Sequence, residues 1–266
     1  MSVPGLAVSE AGPVVTLRLD RPDTLNSLTF DVYRGLTDTL QALHRRSDVR
    51  CVVLTGTGRA FCTGGDVNEI IGELLRMDAA GLQAFTRLTC DLIAALRHLP
   101  IPVVASLNGT VAGAGAVMAL ASDFRVAAET ARIAFLFVRV GLAGADMGAA
   151  FLLPRVIGLA RATELLMLGE FVEPAEALRL GLYHRVVPRE RLEAETAALV
   201  DRLVRGPREA LAATKESLNR ELHLDLDQAL DLEARVQAGL MLRPDFHEGF
   251  RAFRERRAPR FAGAPE

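Results

Sequence analysis

Short runs dense in β-branched residues alternate, over the first two thirds of the chain, with stretches where apolar residues return every three or four positions. Val14–Leu19 (VVTLRL), residues 50–55 (RCVVLT) and Val103–Leu107 are bounded by turn formers and predict strands. Between the first two, Phe30, Tyr33, Leu36, Leu40 and Leu43 share one helical face, as do Leu82, Phe85, Leu88, Leu92 and Leu96 further on. Such alternation predicts an α/β domain built from crossover units, with functional loops following the strands. After Val187 the strand signals stop, and residues 190–205, 208–222, 226–242 and 246–257 predict helices. Gly206-Pro207 and Arg243-Pro244 punctuate them near helix starts, where a missing N–H costs nothing. The expected division is therefore an α/β core over 1–190 and a helical region over 191–266. Residues 101–121 are uncharged and long enough for a membrane span, but Pro102, Asn108 and three glycines interrupt them. A buried strand followed by a helix is the expectation there.

Composition narrows the function classes. Half of the 266 residues are apolar, 24% are charged and the formal charge is −2, which excludes a disordered or fibrous chain and gives no field to gather phosphate backbones. No nucleic-acid partner is expected. Residues 1–12 lack a basic segment and an apolar core, so neither a signal nor a transit peptide is expected, and the expected location is cytoplasmic with no membrane association. Cys51, Cys62 and Cys90 do not form a disulfide framework, and no Cys/His group has metal-ligand spacing. His44, His98, His184, His223 and His247 are scattered, and there is neither a GxSxG elbow nor a P-loop. Lys215, the only lysine, falls within a predicted tail helix between Thr214 and Glu216, which argues against Schiff-base chemistry.

Two glycine-bearing loops stand where a strand hands over to a helix: Ala60-Phe61-Cys62-Thr63-Gly64-Gly65-Asp66-Val67 and Asn108-Gly109-Thr110-Val111-Ala112-Gly113-Ala114-Gly115. Small residues let a ligand approach the backbone, and unpaired amides at a helix start favour negative charge, so two such loops facing one point would form an oxyanion hole. Tight turns for close helix-on-strand packing are the alternative reading of both. A dinucleotide reading of the second loop fails at its third glycine, where Met118 stands.

Together with Arg21-Pro22-Asp23-Thr24-Leu25-Asn26-Ser27-Leu28, the segment VVASLNGTVAGAGAVMALASDFRVA and the ending EGFRAFRERRAPRFAG, the first loop resembles the crotonase (enoyl-CoA hydratase/isomerase) superfamily, in order across residues 5 to 263. The resemblance implies a spiral of ββα turns, a helical C-terminal region that makes trimer contacts, and a homotrimer or homohexamer. It implies an acyl-CoA thioester as ligand, with coenzyme A entering as part of the substrate and no cofactor bound permanently. The amides that would hold the thioester oxygen fall at Gly65 and Ala114. Leu25, Cys62, Thr63, Gly64 and Asp66 match the neighbourhood of the adenine and pantetheine portions, and Arg257, Arg260 and Phe261 are candidates for phosphate and adenine contacts.

The chain departs from the hydratase pattern at the two positions that carry the acid and base glutamates, here Val117 and Phe137. Neither transfers a proton, so ordinary hydration is in doubt, while both would line and desolvate the acyl end. Asp146 aligns with a position where other superfamily members carry a functional aspartate. Capping a helix over 147–156 is its other reading. Glu69 and Glu73 read as surface charges. A single carboxylate beside an oxyanion hole suits double-bond isomerisation, with atypical hydration or a catalytically silent acyl-CoA-binding protein as the alternatives.

Overall fold

The computed structural model describes residues 3–265. The chain opens on an antiparallel hairpin, β1 (Leu6–Ala11) and β2 (Val14–Leu19). Thereafter successive strand pairs give one member to a large sheet and the other to a small one: β3 (Cys51–Gly56) with β4 (Ala60–Cys62), β5 (Val103–Leu107) with β6 (Thr110–Ala112), and β7 (Phe124–Ala128) with β8 (Ile133–Ala134). The large sheet ends on β9 (Arg185–Val187) and has the order β1-β2-β3-β5-β7-β9, while the small sheet runs β4-β6-β8. Every pairing after the hairpin is parallel, so neighbours in each sheet are successive turns of one ββα spiral. β3 and β5 are buried at every residue, which is why they read as continuous apolar runs rather than alternating ones. β5 has the bounds that its pattern predicts, and β3 begins one residue late.

Among the described residues, seven α-helices connect or follow the core strands: α1 (Phe30–Leu43), α2 (Gly72–Leu74), α3 (Ala79–His98), α4 (Ala114–Ala121), α5 (Ala149–Ile157), α6 (Leu159–Leu168) and α7 (Pro174–Arg179). Thr29 caps α1 by accepting the Val32 amide, and Asp78 caps α3 by accepting the Gly81 amide. α4 is buried at all eight residues. The uncharged stretch 101–121 is thus a buried strand pair leading into a core helix, and no helix among the described residues is long and apolar enough to cross a membrane.

The C-terminal region is helical as expected: α8 (Leu192–Val204), α9 (Arg208–Arg220), α10 (Leu226–Met241) and α11 (Pro244–Glu255). α8 is itself a layer of the core. Leu199, Val200, Leu203 and Val204 are buried with the sheet residues, and the Thr196 hydroxyl meets that of Ser106 on β5 at 3.0 Å. Lys215 anchors α9 by donating to Asp123 at 2.7 Å and to the carbonyls of Leu96 and Ile101 at 3.2 Å each. The sole lysine is thus buried and fully engaged, and that burial lowers its pKa against the pull of Asp123.

Candidate active site

The two glycine loops meet. Leu28 forms an isolated parallel bridge with Gly65, its amide donating to Gly64 at 2.8 Å and its carbonyl accepting the Asp66 amide at 2.9 Å. Gly65, lying between those two residues, turns its own N–H to the opposite side. In the second loop Gly113 donates to the Ala134 carbonyl at 3.0 Å, and its carbonyl accepts the amides of Ala116 and Val117. α4 therefore starts with the Ala114 amide free. Neither the Gly65 nor the Ala114 amide donates to a backbone acceptor among the described residues, and the first turn of α4 holds no acid to neutralise its positive end.

The backbone conformation where the loops touch favours glycine on both sides. Gly64 and Gly113 take φ of +103° and +53°, and a Cβ built on Gly64 would lie 3.6 Å from the Ala114 nitrogen. Closer still, a Cβ on Gly115 would sit 2.4 Å from the Cys62 carbonyl oxygen, so α4 rests on β4 only because position 115 has no side chain. Two asparagines fix the approach to the first loop. Asn26 and Asn108 both donate to the Ala60 carbonyl, at 2.8 and 2.9 Å, while Asn108 also accepts the Gly56 amide at 3.1 Å.

The remaining residues of the first loop divide by role. Leu25 sits in the left-handed region and gives its carbonyl to the Thr63 hydroxyl at 3.3 Å. Cys62 is buried, and that burial pushes its thiol up to about 12, so it is no nucleophile at neutral pH. Asp66 is committed to its own chain: it accepts the amides of Asn68 at 2.9 Å and Glu69 at 3.1 Å and the Ser27 hydroxyl at 2.8 Å, and it pairs with Arg21 at 3.2 Å. Burial alone would raise its pKa, but those hydrogen bonds and the Arg21 charge outweigh it and leave the carboxyl below its ordinary value. Asp66 therefore stabilises the fold above the unfolded-state carboxyl pKa, a contribution lost as pH falls through the lowered folded value. Asp66→Asn is expected to cost about 1 kcal/mol through a weakened cap. Thermal melts should show that deficit at neutral pH and its closure in acid.

Asp146 lies in an irregular turn and not at a helix cap. α5 begins at Ala149 with Gly148 as the capping residue and no side-chain cap. The expected helix over 147–156 starts two residues late because Met147 and Gly148 both take positive φ, 51° and 85°. Asp146 instead accepts the adjacent Met147 amide at 2.8 Å, and its carbonyl accepts the Ala149 amide. It is partly buried, and desolvation raises its pKa against that one hydrogen bond. Val117, one turn into α4, is fully buried, and Phe137 is nearly so. The Phe137 carbonyl accepts the Leu142 amide at 3.0 Å, which ties its segment to the loop leading to Asp146.

Tyr33 is buried on α1, where its apolar neighbours in the stripe make it read as ordinary core. Burial, then Cys62, then Asp146 raise its pKa well above the ordinary tyrosine value, so the phenol lies within the electrostatic reach of both. The sequence signal was a lone hydroxyl on an apolar helix face.

Other candidates lie apart. Arg257 is engaged by Glu248 and Glu255, both at 2.6 Å, Arg260 is exposed, and Phe261 lies near Gly249 of α11. Glu69 pairs with Arg21 and Glu73 with Arg76, both at the surface. His184 is partly buried and accepts the Arg125 amide at 3.2 Å; burial, then nearby Arg125, lower it to about 4. Among the described residues no group of three or more His, Cys, Asp or Glu could hold a metal ion. A recess of about 320 Å³ adjoins the Asp146 turn through Met147 and Gly148 and continues between Ile93, Phe151, Leu152 and His223.

A family model described as enoyl-CoA hydratase/isomerase matches residues 9–264. A crystal structure from Streptomyces coelicolor, provisionally named an enoyl-CoA hydratase, superposes with a TM-score of 0.96 at 50% identity, covering 98% of this chain and 95% of that one. The trans-2-decenoyl-acyl-carrier-protein isomerase of Streptococcus mutans is 36% identical over 250 residues, 94% of this chain and 95% of that protein. The 1,2-epoxyphenylacetyl-CoA isomerase of Escherichia coli is 36% identical over 255 residues, 94% of this chain and 95% of its own length. With the ββα spiral and its helical C-terminal region, these similarities establish that the chain belongs to the enoyl-CoA hydratase/isomerase family of the crotonase superfamily.

Proposed function

We propose that this chain processes acyl-CoA thioesters, holding the thioester oxygen between the amides of Gly65 and Ala114 while Asp146 moves a proton on the neighbouring acyl carbons. Double-bond isomerisation is the reaction this favours, with atypical hydration second. One observation carries the reading: the amides of Gly65 and Ala114, on two loops in contact, have no backbone acceptor among the described residues; a partly buried carboxylate of raised pKa at Asp146, and apolar Val117 and Phe137 where the resemblance puts the hydratase acid and base, support it. Removing a proton beside a thioester places charge on its oxygen, and two fixed amides stabilise that charge without reorganising. A single carboxylate can then take the proton from one carbon and return it to another, whereas hydration needs groups acting on water and on carbon together.

The reacting electrons stay within the ester, so coenzyme A enters as part of the substrate and no permanently bound cofactor is called for. Leu25, Thr63 and Gly64 border the path to the amides and are assigned to its pantetheine portion. Leu242 and Phe253, each 82% exposed, support a homotrimer or homohexamer built through the C-terminal helices.

The test is incubation of the protein with a panel of enoyl-CoA esters in deuterated water. Expected are products with shifted double bonds and deuterium at the acyl carbon beside the thioester. Ester uptake by calorimetry, with neither product nor exchange, would reduce the protein to a silent binder; no uptake at all would remove the acyl-CoA assignment.

A further inference from the structure

Each candidate oxyanion amide stands just beyond a short strand of the small sheet, Gly65 beyond β4 and Ala114 beyond β6. The separation of the two amides therefore follows from how β4 and β6 are aligned. Their own pairing holds that alignment weakly: Ala60 lies opposite Thr110 and Cys62 opposite Val111, with Phe61 bulged between them. A slip of one residue would carry one amide about 3.3 Å along the other strand, whereas both must lie about 3 Å from the same oxygen. Contacts beyond the strand bonds have to fix the register.

Asn108 supplies them. It is buried and is the first residue of the second loop, yet its side chain is spent wholly on the corner that leads into the first. Its Nδ2 donates to the carbonyls of Gly58 at 3.0 Å and Ala60 at 2.9 Å, and its Oδ1 accepts the Gly56 amide at 3.1 Å. Both amide hydrogens and the side-chain oxygen are thus committed across the two corners. The next residue, Gly109, has no room for a Cβ against the Arg59 carbonyl, so the corners touch backbone to backbone. Arg189, between β9 and α8, closes the cluster from the surface. Its guanidinium donates to the Gly58 carbonyl at 2.6 Å and to the Asn108 carbonyl, so one side chain holds both corners. Asn26 reaches the same Ala60 carbonyl but belongs to neither loop, and its bonds to Ala60 and Thr57 hold the first corner alone.

We infer that Asn108 is a positioning residue: with Arg189 it secures β4 against β6 and so sets the distance between the Gly65 and Ala114 amides. The inference rests on the acyl-CoA reading above and names the group that keeps its two donors converged. Asn108 acts through the backbone, without touching the ester. Misplacing reacting groups by about 1 Å can cost about a hundredfold in rate, and the loss falls on the transition state, where charge on the oxygen makes the amide contacts strongest.

The test is α-proton exchange of a saturated acyl-CoA in deuterated water, with kcat and KM measured separately for Asn108→Ala and Arg189→Met in the full chain. Asn108→Ala should lower kcat about tenfold to a hundredfold and leave KM within about twofold, the pattern of a contact made only in the transition state. Arg189→Met keeps an aliphatic stem at the surface and should lower kcat by about threefold. Preference for an enolate-like analogue over the matching ester should fall along with kcat, a change that lost stability alone does not produce. Beside Ala114→Pro, which already deletes one donor, Asn108→Ala should reduce that preference by no more than about twofold further. A folded Asn108→Ala with wild-type kcat and analogue preference overturns the inference, as does a change confined to KM or an undiminished effect beside Ala114→Pro. If Asn108→Ala does not fold, Arg189→Met decides, and an unchanged kcat there overturns the role. A wild type that neither exchanges the proton nor takes up the ester removes the acyl-CoA reading beneath it.

Discussion

Asp146→Asn is expected to lower exchange of the acyl α-proton by about a hundredfold to ten-thousandfold, the usual contribution of a placed general acid or base, while the protein melts at the same temperature or higher. The two halves of that expectation share one cause. Asp146 is partly desolvated and accepts one backbone amide, so the folded chain holds its proton more tightly than the unfolded chain does. A group of raised pKa contributes stability below its unfolded value and loses it as pH rises through the folded value. At neutral pH the ionised carboxylate is therefore a cost to the fold, and asparagine removes that cost along with the base. A residue kept for packing or capping would behave in the opposite way, lowering the melting temperature when replaced. The wild-type pH profile provides a second check. Because the base must be ionised, exchange should fall on the acid side with a midpoint raised from the ordinary aspartate value, and the Asp146→Asn variant should lack that limb. Equal exchange rates in the two proteins would end the assignment.

Much of this was legible in the residues because it rests on local physics. The β3 and β5 runs are apolar at every position since both faces are covered, and burial leaves that mark directly in the sequence. The α1 stripe follows the helical period, and Thr29 stands where a cap is required. Likewise, Gly109 and Gly115 are dictated by contacts that no Cβ permits, such as Gly115 against the Cys62 carbonyl, and Gly64 and Gly113 by their positive φ. What stayed hidden depends on residues far apart along the chain. The late start of α5 follows from the left-handed conformation of Met147, which few sequences announce because non-glycine residues seldom adopt it. The packing of α8 onto β5 joins Thr196 to Ser106 across 90 positions, a pairing that periodicity cannot show. Tyr33 was obscured for a related reason: its ring obeys the core pattern, and its edge-on packing against Phe85 of α3 comes from tertiary structure alone. Asp66 is a separate case: its place in a ligand loop suggests substrate contact, while its carboxylate is occupied by Arg21, Ser27 and two amides, an arrangement that only the tertiary structure shows.

Ala114→Pro tests the oxyanion pair through the one substitution that deletes a backbone donor while suiting the local fold. Ala114 is the first residue of α4 and follows Gly113, whose positive φ already places the chain outside helical geometry. Proline is tolerated at a first helical position because its missing N–H has no partner within the helix. The Ala114 amide has no backbone acceptor among the described residues, so the fold loses no backbone hydrogen bond and the melting temperature should move little. Catalysis should lose the donor altogether, and removal of one oxyanion contact typically lowers turnover by about a hundredfold to a thousandfold. Ala114→Gly keeps the amide and separates loss of the donor from disturbance of the helix start. The informative comparison is affinity for an enolate-like acyl-CoA analogue against that for the matching ground-state ester. Ala114→Pro should weaken the analogue far more than the ester, because the amide gains strength only as charge builds on the oxygen. A folded proline variant that retains wild-type exchange and binds both ligands as before would show that no donor at position 114 takes part, and Gly65 alone cannot then carry the proposed chemistry.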